Sequence, residues 1–204
     1  MRRTIGRIIA VDGIDQSGKR TQAQLLAEAL DVRVRSTKVV SFPDYSTPMG
    51  RQLKAYLSGK SKLDYHAIHL LYAANKWEKA NEIRHQINLG GFVVINRYTP
   101  SNLAYGVVHG LDAKWLYDLE RDLPKADIVF ILDVSPKTSF SRKRRFRDVH
   151  EGDLEYLRKV RSTYLRLAKR YKWKVVDAEQ DADTVHSMLW ADVIRLLGRK
   201  ISHV

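Results

Sequence analysis

The chain has 204 residues, enough for one domain with a buried core and short for two. It contains no cysteine, which excludes disulfide bonds, thiolate metal sites and a catalytic thiol. Lysine and arginine number 36 against 23 acidic residues, and the formal charge of +13 favours polyanionic partners, whether nucleotide phosphates, nucleic acid or an anionic membrane.

Short β-branched runs alternate along the chain with helix-length amphipathic stretches. The runs predict strands at residues 7–12, 38–42, 92–96, 128–133 and 174–177. The stretches predict helices at residues 21–30, 47–57, 66–89, 101–108, 113–122, 139–145, 153–171 and 182–197. This alternation predicts an α/β fold in a single domain, residues 1–204, with a five-stranded parallel sheet covered by helices on both faces. Ligands of such sheets bind beyond the carboxyl ends of the strands, so the loops there should line one cleft.

The loop after the first predicted strand has the features of a phosphate-binding loop. It reads Gly-Ile-Asp-Gln-Ser-Gly-Lys-Arg-Thr from Gly13 to Thr21 and leads into a helix. Gly13 and Gly18 leave the backbone unhindered, so that successive N–H groups can surround a phosphate, and Lys19 supplies a charge for the β- and γ-phosphates. Arg20 stands where the motif GxxxxGK[ST] has a hydroxyl that ligates magnesium. The loop therefore predicts nucleotide binding and leaves the metal site open.

Three further segments carry a family resemblance. They read Phe-Pro-Asp-Tyr-Ser-Thr-Pro-Met-Gly (42–50), Leu-Leu-Tyr-Ala-Ala-Asn-Lys-Trp-Glu (70–78) and Asn-Arg-Tyr-Thr-Pro-Ser-Asn-Leu-Ala-Tyr (96–105). Together with the phosphate loop and the arginine-rich run at 142–147, in this order and spacing, they make nearly the whole chain similar to thymidylate kinases. The resemblance implies transfer of the ATP γ-phosphoryl group to dTMP, giving dTDP, on a three-layer P-loop nucleoside-monophosphate kinase fold with an arginine-rich lid at about residues 139–153.

The resemblance also implies which residues bind each substrate. For ATP they are Gly13, Ile14, Asp15, Gln16, Ser17, Gly18, Lys19, Arg20, Thr21 and Arg142. For dTMP they are Phe42, Tyr45, Tyr72, Lys76, Arg97, Ser101, Asn102 and Tyr105. Tyr72 would stack on thymine, Lys76 stands one helical turn later where the family usually has arginine, and the Tyr105 ring would exclude a ribose 2′-hydroxyl.

Phosphoryl transfer needs cations on both polyanions, because the protein mainly positions the substrates and neutralises the charge of the transferring group. Lys19 can serve the donor phosphates, and Arg97, at the end of the third strand, can reach the acceptor phosphate. Gln16 carries no charge, so the lid must supply the arginine that some family members have in the loop. The implied catalytic residues are Lys19, Asp15, Arg97, Arg144, Arg145 and Arg147.

The chain departs from the family pattern at positions that bear on phosphate and metal. Tyr45 replaces an arginine that many members place on the acceptor phosphate, and Asn96 replaces the aspartate of Asp-Arg-Tyr. Asn96 and Arg20 reduce the direct hold on magnesium, which leaves Asp15 as an oxygen donor and Asp12 as either a donor or a structural residue. We therefore expect Mg²⁺ to be carried by the substrate phosphates and bound by Asp15 through water.

Two classes of function fit these residues. The first is an enzyme, a dTMP kinase or a close variant that uses dUMP or another deoxynucleotide. The second is a nucleotide-binding regulatory or nucleic-acid-binding protein without turnover, which Arg20, Asn96 and the high positive charge would suit. We favour the enzyme, because only turnover needs cations on both sides of the transferring group.

The expected partners are dTMP and ATP, with no membrane and no nucleic acid. The apolar run behind the basic start Met-Arg-Arg is only about five residues, too short for a signal peptide or a membrane span. We therefore expect a cytoplasmic protein. The resemblance also implies a role in dTTP biosynthesis and a homodimer packed through the helices at 47–57 and 66–89.

Overall fold

The computed structural model describes residues 6–34, 36–142 and 153–198. Its strands are β1 (Arg7–Asp12), β2 (Thr37–Ser41), β3 (Phe92–Asn96), β4 (Ile128–Asp133) and β5 (Lys174–Asp177). Its helices are α1 (Lys19–Asp31), α2 (Pro48–Leu57), α3 (Tyr65–Asn88), α4 (Thr99–Val108), α5 (Ala113–Glu120), α6 (Pro136–Arg142), α7 (Leu154–Tyr171) and α8 (Ala182–Gly198). Strands and helices therefore alternate as the sequence predicts.

The five strands form one sheet in the order β2-β3-β1-β4-β5, and every pair of neighbours is parallel. Successive residues of β1 point to opposite faces: Ile9 and Val11 belong to one buried apolar cluster, and Ile8 and Ala10 to another. Helices α1, α7 and α8 contribute to the first cluster and α3 to the second, which confirms the predicted three-layer α/β fold. None of the described helices is long and apolar enough to cross a membrane.

The helix boundaries differ from the predicted ones by at most a few residues, for local reasons. Helix α1 begins at Lys19 rather than at residue 21, because Gly18 adopts a left-handed φ of 91° and serves as the N-cap. Helix α2 begins at Pro48, where Thr47 accepts a hydrogen bond from the N–H of Gly50. Helix α3 ends before Gly90, which adopts a left-handed φ of 84°.

The loop after β2 is fixed against α2 and α3. The side-chain oxygen of Asn75 accepts from the N–H of Asp44 at 2.9 Å, and its amide nitrogen donates to Thr47 Oγ1 at 2.7 Å. At Gly50 the first turn of α2 comes so close that an added Cβ would lie 1.7 Å from the carbonyl oxygen of Asp44. Only glycine permits this approach, which sets the position of the loop that carries Phe42.

Replacing Gly50 with alanine should therefore lower the free energy of unfolding by about 2 kcal/mol or more, because the methyl group collides with rigid backbone. Urea unfolding followed by circular dichroism measures the change. The matched control is Gly198→Ala, where nothing lies within 4 Å of an added Cβ and we expect no loss. Equal stabilities of the two variants would contradict the close approach of α2.

Candidate active site

A cavity of about 420 Å³ lies beyond the carboxyl ends of β1, β2 and β3. Its lining includes all eight residues predicted for dTMP: Phe42, Tyr45, Tyr72, Lys76, Arg97, Ser101, Asn102 and Tyr105. It also includes Asp15, Gln16 and Arg20 from the phosphate loop and first turn of α1. The fold thus brings the predicted phosphate loop and the predicted acceptor residues to one cleft, as expected of parallel sheets.

The phosphate loop curls tightly between β1 and α1. Gly13 has a φ of 139°, and a Cβ there would lie 2.5 Å from the carbonyl oxygen of Leu132. Lys19 is only 6% exposed, and its ammonium group donates hydrogen bonds to the carbonyl oxygen of Ile14 and, at 3.3 Å, to Ser17 Oγ. The loop thus holds a buried lysine charge at the N-terminus of a helix, an arrangement suited to binding phosphate.

The other predicted nucleotide residues surround this loop. Arg20 and Thr21 are exposed on the first turn of α1. Arg142 donates to the carbonyl oxygens of Gln16 at 3.3 Å and Ala178 at 3.0 Å, so it joins the loop to the segment after β5. The remaining predicted arginines lie outside the residues that the structure describes; they are Arg144, Arg145 and Arg147.

A charged cluster joins the phosphate loop to the acceptor cavity. The Arg97 guanidinium forms an ion pair with the Asp15 carboxylate, and the Tyr105 hydroxyl donates to the other carboxylate oxygen at 2.8 Å. Arg97 itself has a φ of 62°, and its backbone N–H donates to the carbonyl oxygen of Val11 at 3.0 Å. Burial opposes the charge of Arg97, but Asp15 and the other acidic groups nearby together outweigh burial and raise the pKa of the guanidinium well above its usual value.

The contacts of Asp12 are those of a structural residue, one of the two roles predicted for it; the other was donating an oxygen to magnesium. It is fully buried, and its carboxylate accepts hydrogen bonds from the backbone N–H of Tyr98 at 2.7 Å and from the hydroxyls of Ser101 and, at 2.9 Å, Tyr164. Three donors around one buried carboxylate satisfy its charge. The contacts tie the end of β1 to α4 and α7.

The Lys76 side chain is paired inside the protein. It is 3% exposed, its ammonium group lies 2.7 Å from a carboxylate oxygen of Glu120, and Asn102 donates to the same oxygen at 2.7 Å. Burial raises the pKa of Glu120, and the nearby Lys76 charge opposes that rise. Sequence reasoning missed Glu120, because nothing in the local pattern of α5 distinguishes it from an exposed glutamate.

Two histidines of the cavity wall were also missed. His69 is fully buried and donates or accepts at both ring nitrogens, toward Asn102 and His109. A signal for His69 was present in the sequence: it precedes Tyr72 by three residues and Lys76 by seven, which puts all three on one face of a helix. His109 had no such signal, because it follows the last residue of α4.

Comparison with known proteins agrees with this geometry. A family model described as thymidylate kinase matches residues 11–189. The chain belongs to the thymidylate kinase family. The resemblance inferred from the sequence is thereby confirmed, and with it the enzyme class, a nucleoside-monophosphate kinase.

Relatives in this family are similar over most of their length. The chain is 37% identical to a probable thymidylate kinase of Thermococcus kodakarensis, over 94% of this chain and 99% of the relative. It is 34% identical to the thymidylate kinase of Schizosaccharomyces pombe, over 90% of each chain. The solved structure of Candida albicans thymidylate kinase superposes with a TM-score of 0.84 at 29% identity, covering 94% of this chain and 92% of that one.

The buried pair of Lys76 and Glu120 makes a prediction about stability. Glu120→Gln leaves an ammonium group buried without a counter-charge, so we expect a loss of about 3 kcal/mol in the free energy of unfolding at neutral pH. Adding Lys76→Met should recover most of it, because the unpaired charge is then gone. The control is Asp118→Asn, which breaks an exposed pair with Lys114 and should leave the free energy of unfolding almost unchanged. If urea unfolding showed the same small loss for Glu120→Gln as for this control, the buried Lys76 charge would have to be stabilised by groups other than Glu120.

Proposed function

We propose that this thymidylate kinase family member transfers the γ-phosphoryl group of ATP to dTMP, giving dTDP and ADP. The observation that carries the proposal is the cluster of Asp15, Arg97 and Tyr105, which joins the phosphate loop to the cavity lined by the predicted dTMP residues. A donor phosphate on the loop and an acceptor phosphate beside Arg97 would then lie in one cleft. Catalysis in such a site comes from positioning and from fixed charges.

We assign the roles of Lys19 and Arg97 from their positions, and those of the lid arginines from the family resemblance. Lys19 neutralises the β- and γ-phosphates of the donor, and the N–H groups of the loop surround them. Arg97 binds the acceptor phosphate, and its pairing with Asp15 keeps the guanidinium in place before the substrate arrives. The lid, at about residues 139–153, contributes the arginines for the transferring group; they are Arg144, Arg145 and Arg147.

The side chains of the acceptor pocket suit a deoxynucleotide, whose flat base can stack on aromatic rings. The rings of Phe42 and Tyr72 line the cavity, and Phe42 is held against Tyr98 with ring centroids 6.1 Å apart. The Tyr105 ring is fixed from two sides, by its hydroxyl on Asp15 and by the Arg97 guanidinium 5.9 Å from its centroid. We predict that a ring so fixed stands beside C2′ of the acceptor and excludes a hydroxyl there, which would favour deoxyribose.

Magnesium belongs to this proposal only as an ion carried by the nucleotide. Both carboxylate oxygens of Asp15 already accept from Arg97 and Tyr105, and Asp12 is enclosed by three donors. Within residues 6–34, 36–142 and 153–198, no group of three or more His, Cys, Asp or Glu side chains could hold a metal ion. These residues do not fit a metal held by the protein itself, and a contact of Asp15 through water stays a prediction.

The wider setting follows from the family. We infer that residues 1–204 act as one kinase domain in the cytoplasm, within dTTP biosynthesis, and that the protein forms a homodimer through α2 and α3. Sedimentation equilibrium measures the oligomeric state directly, and a monomer at micromolar concentration would contradict the dimer.

A coupled ADP-release assay tests the reaction. The purified protein is given ATP, magnesium and, in turn, dTMP, dUMP, dCMP, dGMP and TMP with ribose. We expect the highest kcat/KM with dTMP. A higher kcat/KM with dUMP would mean that dUMP is the preferred acceptor, with the enzyme class unchanged. The absence of turnover with every acceptor would overturn the proposal.

Lys19→Ala should lower kcat/KM by about a hundredfold or more, because the donor phosphates lose a buried, preorganised charge. Steady-state kinetics with dTMP and ATP measure the loss. Lys114→Ala, which removes an exposed lysine of α5, is the control and should leave kcat and KM unchanged. A Lys19→Ala enzyme within about threefold of the wild type would remove Lys19 from the reaction.

Tyr105→Ala should raise the use of the ribonucleotide relative to dTMP by about tenfold, because removing the ring opens space beside C2′. Tyr105→Phe separates the two contributions of this side chain: it keeps the ring, loses the hydrogen bond to Asp15, and should leave the preference for deoxyribose intact. The ratio of kcat/KM for the two acceptors is the measurement. An unchanged ratio in Tyr105→Ala would place the sugar elsewhere.

A further inference from the structure

A chain of hydrogen bonds runs behind the acceptor cavity and joins three helices. Asn102 Oδ1 lies 2.6 Å from His69 Nδ1, His69 Nε2 lies 2.9 Å from His109 Nδ1, and His109 Nε2 lies 2.8 Å from the hydroxyl of Tyr156. Asn102 and His69 are buried in α4 and α3, and His109 is the C-cap of α4. Tyr156 belongs to the first turn of α7. The chain therefore connects the wall of the cavity to the start of another helix.

With both imidazole rings neutral, the hydrogen-bond partners allow one order of the protons along this chain. The amide nitrogen of Asn102 lies 3.2 Å from the carbonyl oxygen of His69, which can only accept, so Asn102 Oδ1 faces His69 Nδ1 as an acceptor. His69 must then donate from Nδ1. If both rings are neutral, His69 Nε2 accepts from His109 Nδ1, and His109 Nε2 accepts from Tyr156. Burial raises the pKa of the Tyr156 hydroxyl, so it keeps the proton that it donates.

Every donor in this order points the same way, from α7 toward the cavity. The direction continues beyond Asn102, which donates to the Glu120 oxygen that also accepts from Lys76. A buried series in which each group satisfies the next is rigid, because moving one member leaves a neighbour without its hydrogen bond. Apolar side chains could fill the same space, but they would not transmit a position from one end to the other.

Three members of the chain line the proposed acceptor site, and the fourth packs on a residue of that site. His69, Asn102 and His109 line the cavity. At the other end, the Tyr156 ring lies 6.3 Å from the ring of Tyr105. The first turn of α7 is thus held to the cavity both by the hydrogen bonds and by aromatic packing.

We propose that His69, His109 and Tyr156 are positioning residues that couple occupation of the acceptor cavity to the first turn of α7. A monophosphate in the cavity restricts the wall formed by Asn102 and His69, and the hydrogen bonds pass that restriction to Tyr156. The proposal rests on the proposed function only for the identity of the ligand, dTMP. The histidines touch no reacting atom and act through Asn102 and through α7.

The coupling also bears on the rate. The N-cap of α7 is Asp153, whose carboxylate accepts from the N–H groups of Glu155 and Tyr156. A first turn of α7 that is not held by Tyr156 would leave Tyr105, and through it Asp15, less well positioned, which should lower kcat more than it weakens binding of dTMP.

Two variants break the chain on either side of His109. Tyr156→Phe removes only the hydroxyl. His69→Asn keeps an amide near the position of Nδ1, where it can still reach Asn102, and leaves nothing near Nε2. The matched control is Tyr171→Phe, which removes a hydroxyl from the last residue of the same helix and lies outside the chain. Thermal unfolding checks that each variant is folded.

The first readout is hydrogen exchange of the backbone amides of residues 156–160, with and without saturating dTMP. In the wild type and in Tyr171→Phe, dTMP should slow this exchange by about tenfold, whereas in Tyr156→Phe and His69→Asn it should slow it by less than about twofold. Equal slowing in all four proteins would overturn the coupling. So would a wild type in which dTMP binds without slowing exchange in α7.

The second readout is steady-state kinetics. Each variant should lose about tenfold in kcat with less than about threefold change in the KM for dTMP. The double variant should lose no more kcat than the less active of the two single variants, because the effects of groups that act as a unit are not additive. Losses that multiply in the double variant would show two independent structural effects and contradict the proposal. The wild-type assay keeps the two hypotheses apart. Turnover of dTMP, together with slowing of exchange in the variants equal to that in the wild type, would sink only the coupling. A protein that neither binds nor phosphorylates dTMP would sink both.

Discussion

The geometry of the site depends on one buried carboxylate. Asp12 ends the central strand and is enclosed by the backbone N–H of Tyr98 and the hydroxyls of Ser101 and Tyr164. An ionised carboxylate without these donors would be costly to bury, so the ends of β1, α4 and α7 must stay together. The phosphate loop starts directly after this residue, and Arg97 follows the end of the neighbouring strand β3, with its N–H on the carbonyl oxygen of Val11. Their spacing is therefore set by the sheet and not by flexible side chains.

A second constraint is that two cations of the acceptor cavity are paired with carboxylates. Arg97 is held by Asp15, and Lys76 by Glu120. Pairing fixes each cation in space, so that little reorganisation is needed when a polyanion binds. Such preorganisation suits phosphoryl transfer, where the protein contributes position and charge more than covalent chemistry. It also explains why the site can contain several cations and still fold.

The sequence predicted the layers of the fold and the members of the cleft. Strands and helices differ in hydrophobic period, and the turn after β1 requires glycine at Gly13 and Gly18, so both signals are local and can be read without tertiary contacts. The family motifs then assigned residues that are far apart in the chain to one predicted site. Helix starts were the least accurate feature, because they depend on caps such as Gly18, whose backbone angle the pattern does not give.

By itself, the sequence determined the class of fold, the phosphate loop and eight of the residues that line the acceptor cavity. Only the tertiary structure decided what those residues bind to inside the protein. Glu120 lies 44 residues from Lys76, and Tyr156 lies 47 residues from His109. Periodicity shows which side chains share a face of one helix, but the packing of one helix on another decides which faces meet. The partner of a buried polar group is therefore fixed by that packing, after the local pattern has already been satisfied.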